Sequence, residues 1–290
     1  MTVVLCIAIN YVNSILVYTF SRHQVFNMNP RYILYIHLVI NDIILLTMFT
    51  LLQVLSYILL SLYVSLCIVV LMTAIFASQN NPLTLAVMAV ECYIAICFPL
   101  RHAQICSIKK TYITIGLIWA INTLSVLPEL FVALATESLE FFHSRVFCLR
   151  ENVFRQPYFK TKRDVANIVF MVIVWLTLFY TYLQILFTAK AAAADARKAR
   201  NTILLHGFQL LLCMLTYVFF AMIEGLTYLF PKGVLDIRYT VAILVHVLPR
   251  LISPVIYGLR DKTFRQYLKR YRICSVQVKI HPQKTLKRPL

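Results

Sequence analysis

Seven separate apolar runs punctuate the chain, at 1–20, 33–60, 64–97, 111–135, 165–190, 202–230 and 237–259. A hydrocarbon core about 30 Å thick takes roughly 20 residues of helix to cross, and within it every backbone N–H and C=O must be paired inside its own segment. Seven such runs demand a bundle of membrane-spanning helices and exclude a water-soluble domain. With 61% hydrophobic residues, 13% charged residues and a mean hydropathy of +0.78, there is too little charge to face water on all sides. The expected fold is an all-α membrane protein, a seven-transmembrane helix bundle over 1–260. The remainder, 261–290, is expected to be a short amphipathic interfacial helix and a basic cytoplasmic tail. No second domain or repeat appears, and the only low-complexity stretch is the alanine run 191–194.

A net charge of +17 raises the possibility of nucleic acid, so its placement matters. Arg22, Arg31, Arg101, Lys109, Lys110, Lys190, Arg197, Lys198 and Arg200 fall on alternate links, and the tail after 259 is strongly basic. The other links, 129–164 and 224–238, carry nearly balanced charge. Positive loops stay on the cytoplasmic side, so the tail is expected there and the N-terminus outside, in a multi-pass cell-membrane protein. Attraction to anionic lipid explains the basic tail without nucleic acid. Met1 leads straight into TVVLCIAIN, so either the first span is its own start-transfer signal or the chain is a shortened version of a longer protein.

Two of the eight cysteines fall at outer positions, Cys67 at the start of the third span and Cys148 in the long 129–164 link. A bridge between them would persist in that oxidising compartment and tie the link over the bundle mouth. Cys6, Cys92, Cys97, Cys106 and Cys213 read as unpaired, and Cys274 as a palmitoylation candidate. In DKTFRQYLKRY, Phe264, Tyr267, Leu268 and Tyr271 recur at helical spacing while the bases fall elsewhere, the pattern of an interfacial helix over 261–272. Asp42, Glu91 and Arg250 are ionisable groups inside apolar runs, where they are expensive and usually functional. Asn13, Asn80, Asn81 and Ser253 are expected to face the same interior.

Taken in order, Asn13, NPRY at 29–32, HLVIND at 37–42, Cys67, MAVECYIAICFPLRH at 88–102, Trp119, Cys148, KARNTILLH at 198–206 and SPVIYGLRDK at 253–262 resemble the rhodopsin-like G-protein-coupled receptors, in particular odorant receptors of the fish type. The resemblance implies that a small-molecule odorant biases the bundle from its outer mouth and that a heterotrimeric G protein, usually stimulatory and cyclic-AMP-raising, docks at the cytoplasmic face. It places the ligand among Ala74, Ile75 and Ser78 of the third span, Ala166 and Phe170 of the fifth, Met214 and Tyr217 of the sixth, and Ile243 and His246 of the seventh. Glu224 and Arg238 would sit at the mouth. Coupling would involve Glu91, Cys92, Tyr93, Tyr182, Ser253, Pro254 and Tyr257.

Two positions depart from the family pattern. Glu91-Cys92-Tyr93 stands where Asp/Glu-Arg-Tyr is usual, and Ser253-Pro254-Val255-Ile256-Tyr257 where Asn-Pro-x-x-Tyr is usual. Cys92 is too short and apolar to pair with an acid, so a weaker restraint on the resting bundle is expected. Arg250 lies about one turn before Pro254, which puts its guanidinium at the depth of Asp42 and predicts a buried ion pair, completed by Asn13, Asn81 and Ser253. Competing readings are a non-olfactory receptor of the same superfamily for a peptide or lipid, a truncated nonfunctional product, and a transporter or channel, disfavoured because paired Gly/Pro-interrupted halves are missing. No metal spacing or nucleophile–base pair points to an enzyme, and no cofactor or metal is expected.

Overall fold

Helices occupy the first five apolar runs because a backbone denied water pairs along its own axis. The computed structural model describes residues 2–59 and 61–191, together with 208, 222–223, 225–226, 228–230, 237, 240–241 and 243–251. In chain order these form α1 (Thr2–Arg22), α2 (Gln24–Asn27), α3 (Pro30–Leu59), β1 (Leu62–Tyr63), α4 (Val64–Cys97), α5 (Pro99–Ile105), α6 (Ile108–Thr136), α7 (Leu139–His143), β2 (Arg145–Val146), α8 (Arg150–Val153) and α9 (Pro157–Ala191), with a π-helical turn at Ile243–Val247. Among the described residues α1, α3, α4, α6 and α9 are long and apolar enough to cross a membrane. The runs 202–230 and 237–259 fall largely outside the described residues. So do Cys213, Met214, Tyr217, Glu224, Arg238, Ser253, Pro254, Tyr257, the 261–272 segment and Cys274.

Local chemistry marks the helix ends. Asn29 caps α3, its Oδ1 accepting from the Arg31 backbone N–H at 3.0 Å, with Pro30 in the first turn where its missing donor costs nothing. Ser107 caps α6 by accepting from the Lys110 backbone N–H at 3.4 Å, and Pro99 opens α5. Two prolines lie inside long helices. Pro82 in α4 and Pro128 in α6 each remove the donor that would meet the carbonyl four residues earlier, at Ser78 and Leu124.

α4 is the central helix, packed against α3, α6 and α9, while α1 packs on α3. One apolar cluster joins Leu16, Leu38, Leu85, Met88 and Leu178 across α1, α3, α4 and α9. A second lies where Cys67, Met72 and Val126 meet Phe141, Val153 and Phe154 of the 137–154 connection. There β1 and β2 pair antiparallel, Leu62 opposite Val146 and Tyr63 opposite Arg145. The outward faces are apolar as well, with Ile7 and Tyr11 of α1 and Ile168, Val172 and Leu176 of α9 exposed, as lipid contact requires. Buried among the helices are Asn13, Asn41, Asp42, Asn80, Asn81, Glu91, Asn122, Glu129 and Arg250.

Candidate functional site

These buried polar groups form three layers along α4. The middle layer begins at Asp42 of α3. Asn81 of α4 donates from Nδ2 to Asp42 Oδ1 at 2.7 Å, and Arg250 Nε lies 3.6 Å from the same oxygen, the two charged side chains being 4% and 1% exposed. Arg250 Nη1 also donates to the Val245 carbonyl, in the π-helical turn, at 2.8 Å. Among the described residues the guanidinium meets one carboxylate and one carbonyl, and removing either charge of the pair would strand the other. Asn13 is buried nearby on α1, but among the described residues neither of its side-chain polar atoms has a hydrogen-bond partner, so it does not close the network as expected.

Beside that pair runs a relay that sequence reasoning missed. Trp119 Nε1 donates to His37 Nε2 at 3.0 Å and Asn41 Nδ2 donates to the same nitrogen at 3.3 Å. An indole N–H can only donate, so Nε2 must accept and the ring proton sits on Nδ1. Nδ1 then donates to Thr84 Oγ1 at 3.1 Å, and the Thr84 hydroxyl donates to the Asn80 carbonyl at 2.7 Å. Asn80 donates to Asn41 Oδ1 at 3.3 Å and accepts from Asn122. The network welds α3, α4 and α6 together. Its signal in the sequence was the recurrence of His37, Asn41, Asn80 and Asn122 inside apolar runs.

At the end of α4 that bears Cys67, a disulfide joins Cys67 to Cys148 with Cα atoms 5.6 Å apart. Glu129, which the sequence reading places in both the 111–135 span and the 129–164 link, lies inside α6 and is buried. Arg150 Nη2 donates to its Oε2 at 2.6 Å, and Lys162 Nζ stands 3.9 Å from Oε1 while donating to the Ser125 carbonyl at 3.0 Å. The carboxylate is tolerated in the helix because two bases reach it from α8 and α9. Neither base is visible in a local window around Glu129.

The opposite end of α4 holds Glu91, Cys92 and Tyr93. Cys92 is buried against Ile185 of α9, with Tyr182 packed on the same small cluster. Tyr93 meets Phe98 and Tyr180 edge to face at 5.7 and 6.0 Å. Cys97 Sγ lies 3.3 Å from Thr188 Oγ1. Glu91 points elsewhere, to Arg31 and His102. Arg31 donates from Nε to Oε2 at 3.0 Å and from Nη2 to Oε1 at 3.4 Å, and His102 Nε2 donates to Oε1 at 3.0 Å. The acid that Cys92 cannot pair is met instead by bases supplied by α3 and α5.

Of the expected ligand positions, Ala74, Ile75, Ser78, Ala166 and Phe170 are half-buried, on the packed pair α4 and α9. Ile243 packs instead toward Cys6, Ile9, Leu46 and Phe49 of α1 and α3, so it is not brought to the α4 set. His246 belongs to the π-helical turn. Among the described residues no group of three His, Cys, Asp or Glu side chains could hold a metal ion.

A profile described as 7 transmembrane receptor (rhodopsin family) matches residues 12–257. Odorant receptor 131-2 of Danio rerio is 30% identical over 289 residues, covering 96% of this chain and 87% of that protein. Olfactory receptor 51B2 of Homo sapiens is 28% identical over 66% of this chain and 64% of its own length. Olfactory receptor 4E2 of Mus musculus is 26% identical over 66% of this chain and 63% of its own.

Proposed function

The chain belongs to the rhodopsin family of seven-transmembrane receptors, a family of multi-pass signalling proteins and not enzymes, and on that premise we propose that it is an odorant receptor. It takes a small molecule near the disulfide end of the bundle and activates a heterotrimeric G protein at the Glu91 end, which makes the first end extracellular and the second cytoplasmic. The observation that carries this reading is the extent of the likeness to Odorant receptor 131-2, which runs through 96% of the chain. The ligand site draws on Ala74, Ile75, Ala166 and Phe170 of α4 and α9, with Ser78 as a polar point, and on the family positions Met214, Tyr217 and His246 of the sixth and seventh spans. A mostly apolar lining with few polar groups suits a small, partly apolar ligand. The Asp42–Arg250 pair fixes the floor of the bundle beneath it, and the G protein is of the stimulatory, cyclic-AMP-raising class.

The physics of such a switch is a population shift: an odorant raises output only as far as it binds the signalling bundle better than the resting one. The test is a cyclic-AMP assay in a heterologous cell, at matched surface staining, against panels of odorants, peptides and lipids. A saturable response to a small odorant is the expected result. A response confined to peptides or lipids would reassign the ligand class, and a calcium response without cyclic AMP would reassign the G protein.

A further inference from the structure

α5 presents a physical problem. It is a helix of seven residues, Pro99–Ile105, none of them buried. Helices this short are unstable in isolation and normally persist by burying an apolar face, which α5 does not do. Its Leu100 is 95% exposed and Ile105 also lies open. Besides its continuity with the flanking helices, what holds α5 is polar. Lys110 Nζ donates to the Gln104 carbonyl at 2.7 Å, closing its last turn. His102 Nε2 donates to Glu91 Oε1 at 3.0 Å, tying its middle to the end of α4.

The second tie depends on a third element. Glu91 is only 5% exposed, and a buried carboxylate needs more than one donor to remain ionised there. Arg31 supplies two N–H donors from the start of α3, its backbone anchored by the Asn29 cap. With Arg31 on one side and His102 on the other, one carboxylate holds α3, α4 and α5 in register. An ionised carboxylate accepts only, so His102 Nε2 carries a proton in either charge state of the ring. Cys92, adjacent to Glu91, packs toward Ile185 of α9.

We propose that Arg31 and His102 are positioning residues which, by sharing the Glu91 carboxylate, hold α5 as the surface that meets the G protein, a task for which Cys92 is too short and apolar. The inference rests on the receptor reading given above. It follows that Leu100 and Arg101, both exposed on α5, are presented at a fixed angle, an apolar tip and a cation suited to an apolar groove with an acidic rim.

The test uses the full chain in lipid nanodiscs, with Leu100→Cys carrying a nitroxide in a Cys97→Ser, Cys106→Ser, Cys274→Ser background. G-protein activation is measured separately on unlabelled protein with Leu100 intact. Glu91→Gln, Arg31→Gln and His102→Ala are compared with the conservative Arg31→Lys. Expected are a clear rise in label mobility for the first three and near-native mobility for Arg31→Lys. G-protein activation should be about tenfold lower in the three at unchanged ligand potency, since charge-assisted bonds of this kind are worth about that factor. His102→Ala, on a partly exposed residue of α5, keeps the test available if Glu91→Gln fails to fold. Unchanged mobility in both His102→Ala and Arg31→Gln would overturn the clamp, as would increased mobility with undiminished G-protein activation. If the native receptor activates no G protein at all, the receptor reading falls, while the mobility comparison still decides whether the clamp holds α5.

Discussion

Each end of α4 lies beside a buried glutamate held by two bases, yet the two ends are built differently. Glu129 meets Arg150 and Lys162 beneath a connection that is also tied by the Cys67–Cys148 disulfide and packed by Phe141, Val153 and Phe154. Glu91 meets Arg31 and His102 beside α5, which has no disulfide and buries no residue. The same ionic device is redundant at one end and decisive at the other. A covalent, apolar cap suits a surface that must keep its shape, whereas a carboxylate shared between two donors holds its element by noncovalent bonds alone.

The comparison breaks first at the disulfide. Cys148→Ser should cost about 4 kcal/mol, the loop-entropy value for a closed loop of this length, and remove most surface expression. Surface staining and thermal unfolding of Cys148→Ser equal to the native chain would show that the covalent tie is dispensable and the two ends more alike than argued. Between the ends, Asp42→Asn or Arg250→Gln alone should cost about 3 kcal/mol, and the two together less than their sum, because each single change strands a buried charge. Additive losses in thermal stability would mean that the 3.6 Å approach carries no coupling.

Smaller effects sharpen the contrast at the α5 end. Cys92→Arg should destabilise by about 2 kcal/mol, since it forces a long cation into the buried contact with Ile185 while Glu91 is already engaged. A native melting temperature in Cys92→Arg would indicate that the new side chain finds room at α9. The smallest effect concerns Cys106, between α5 and α6. Burial first, and then the charge of Glu91, push its thiol above the usual range, with Lys110 opposing. Alkylation by an uncharged maleimide, in a Cys97→Ser background, should therefore be slow at neutral pH and climb as pH rises. Glu91→Gln removes one of the charges that raise the value, so its profile should move to lower pH; a profile unmoved by Glu91→Gln would place the carboxylate electrostatically out of reach.

The bundle was legible because a bilayer demands apolar length, and α1, α3, α4, α6 and α9 answer that demand directly. The bridge was legible because Cys67 and Cys148 fall on the side of the bundle that the charge pattern of the links set apart from the basic loops. The partners of Glu129 were hidden for a physical reason: the two bases that make an acid tolerable inside α6 lie far along the chain. Arg31 was hidden likewise. It reads as one more positive-inside charge until the fold brings it to Glu91 across 60 positions. Asn13 shows the opposite error, a buried amide whose type suggested a partner that the described residues do not supply.

The Asp42–Arg250 pair also imposes an order on biosynthesis. The ribosome makes Asp42 with the second span and Arg250 with the seventh, so through most of synthesis the acid sits in a growing bundle with Asn81 as an interim donor. Until the seventh span arrives, Asp42 lacks the cation that approaches it in the finished bundle, and a carboxylate at that depth is costly without one. Arrival of the last span cancels that charge. A chain stopped before residue 250 would lack that cation however well its earlier spans had packed.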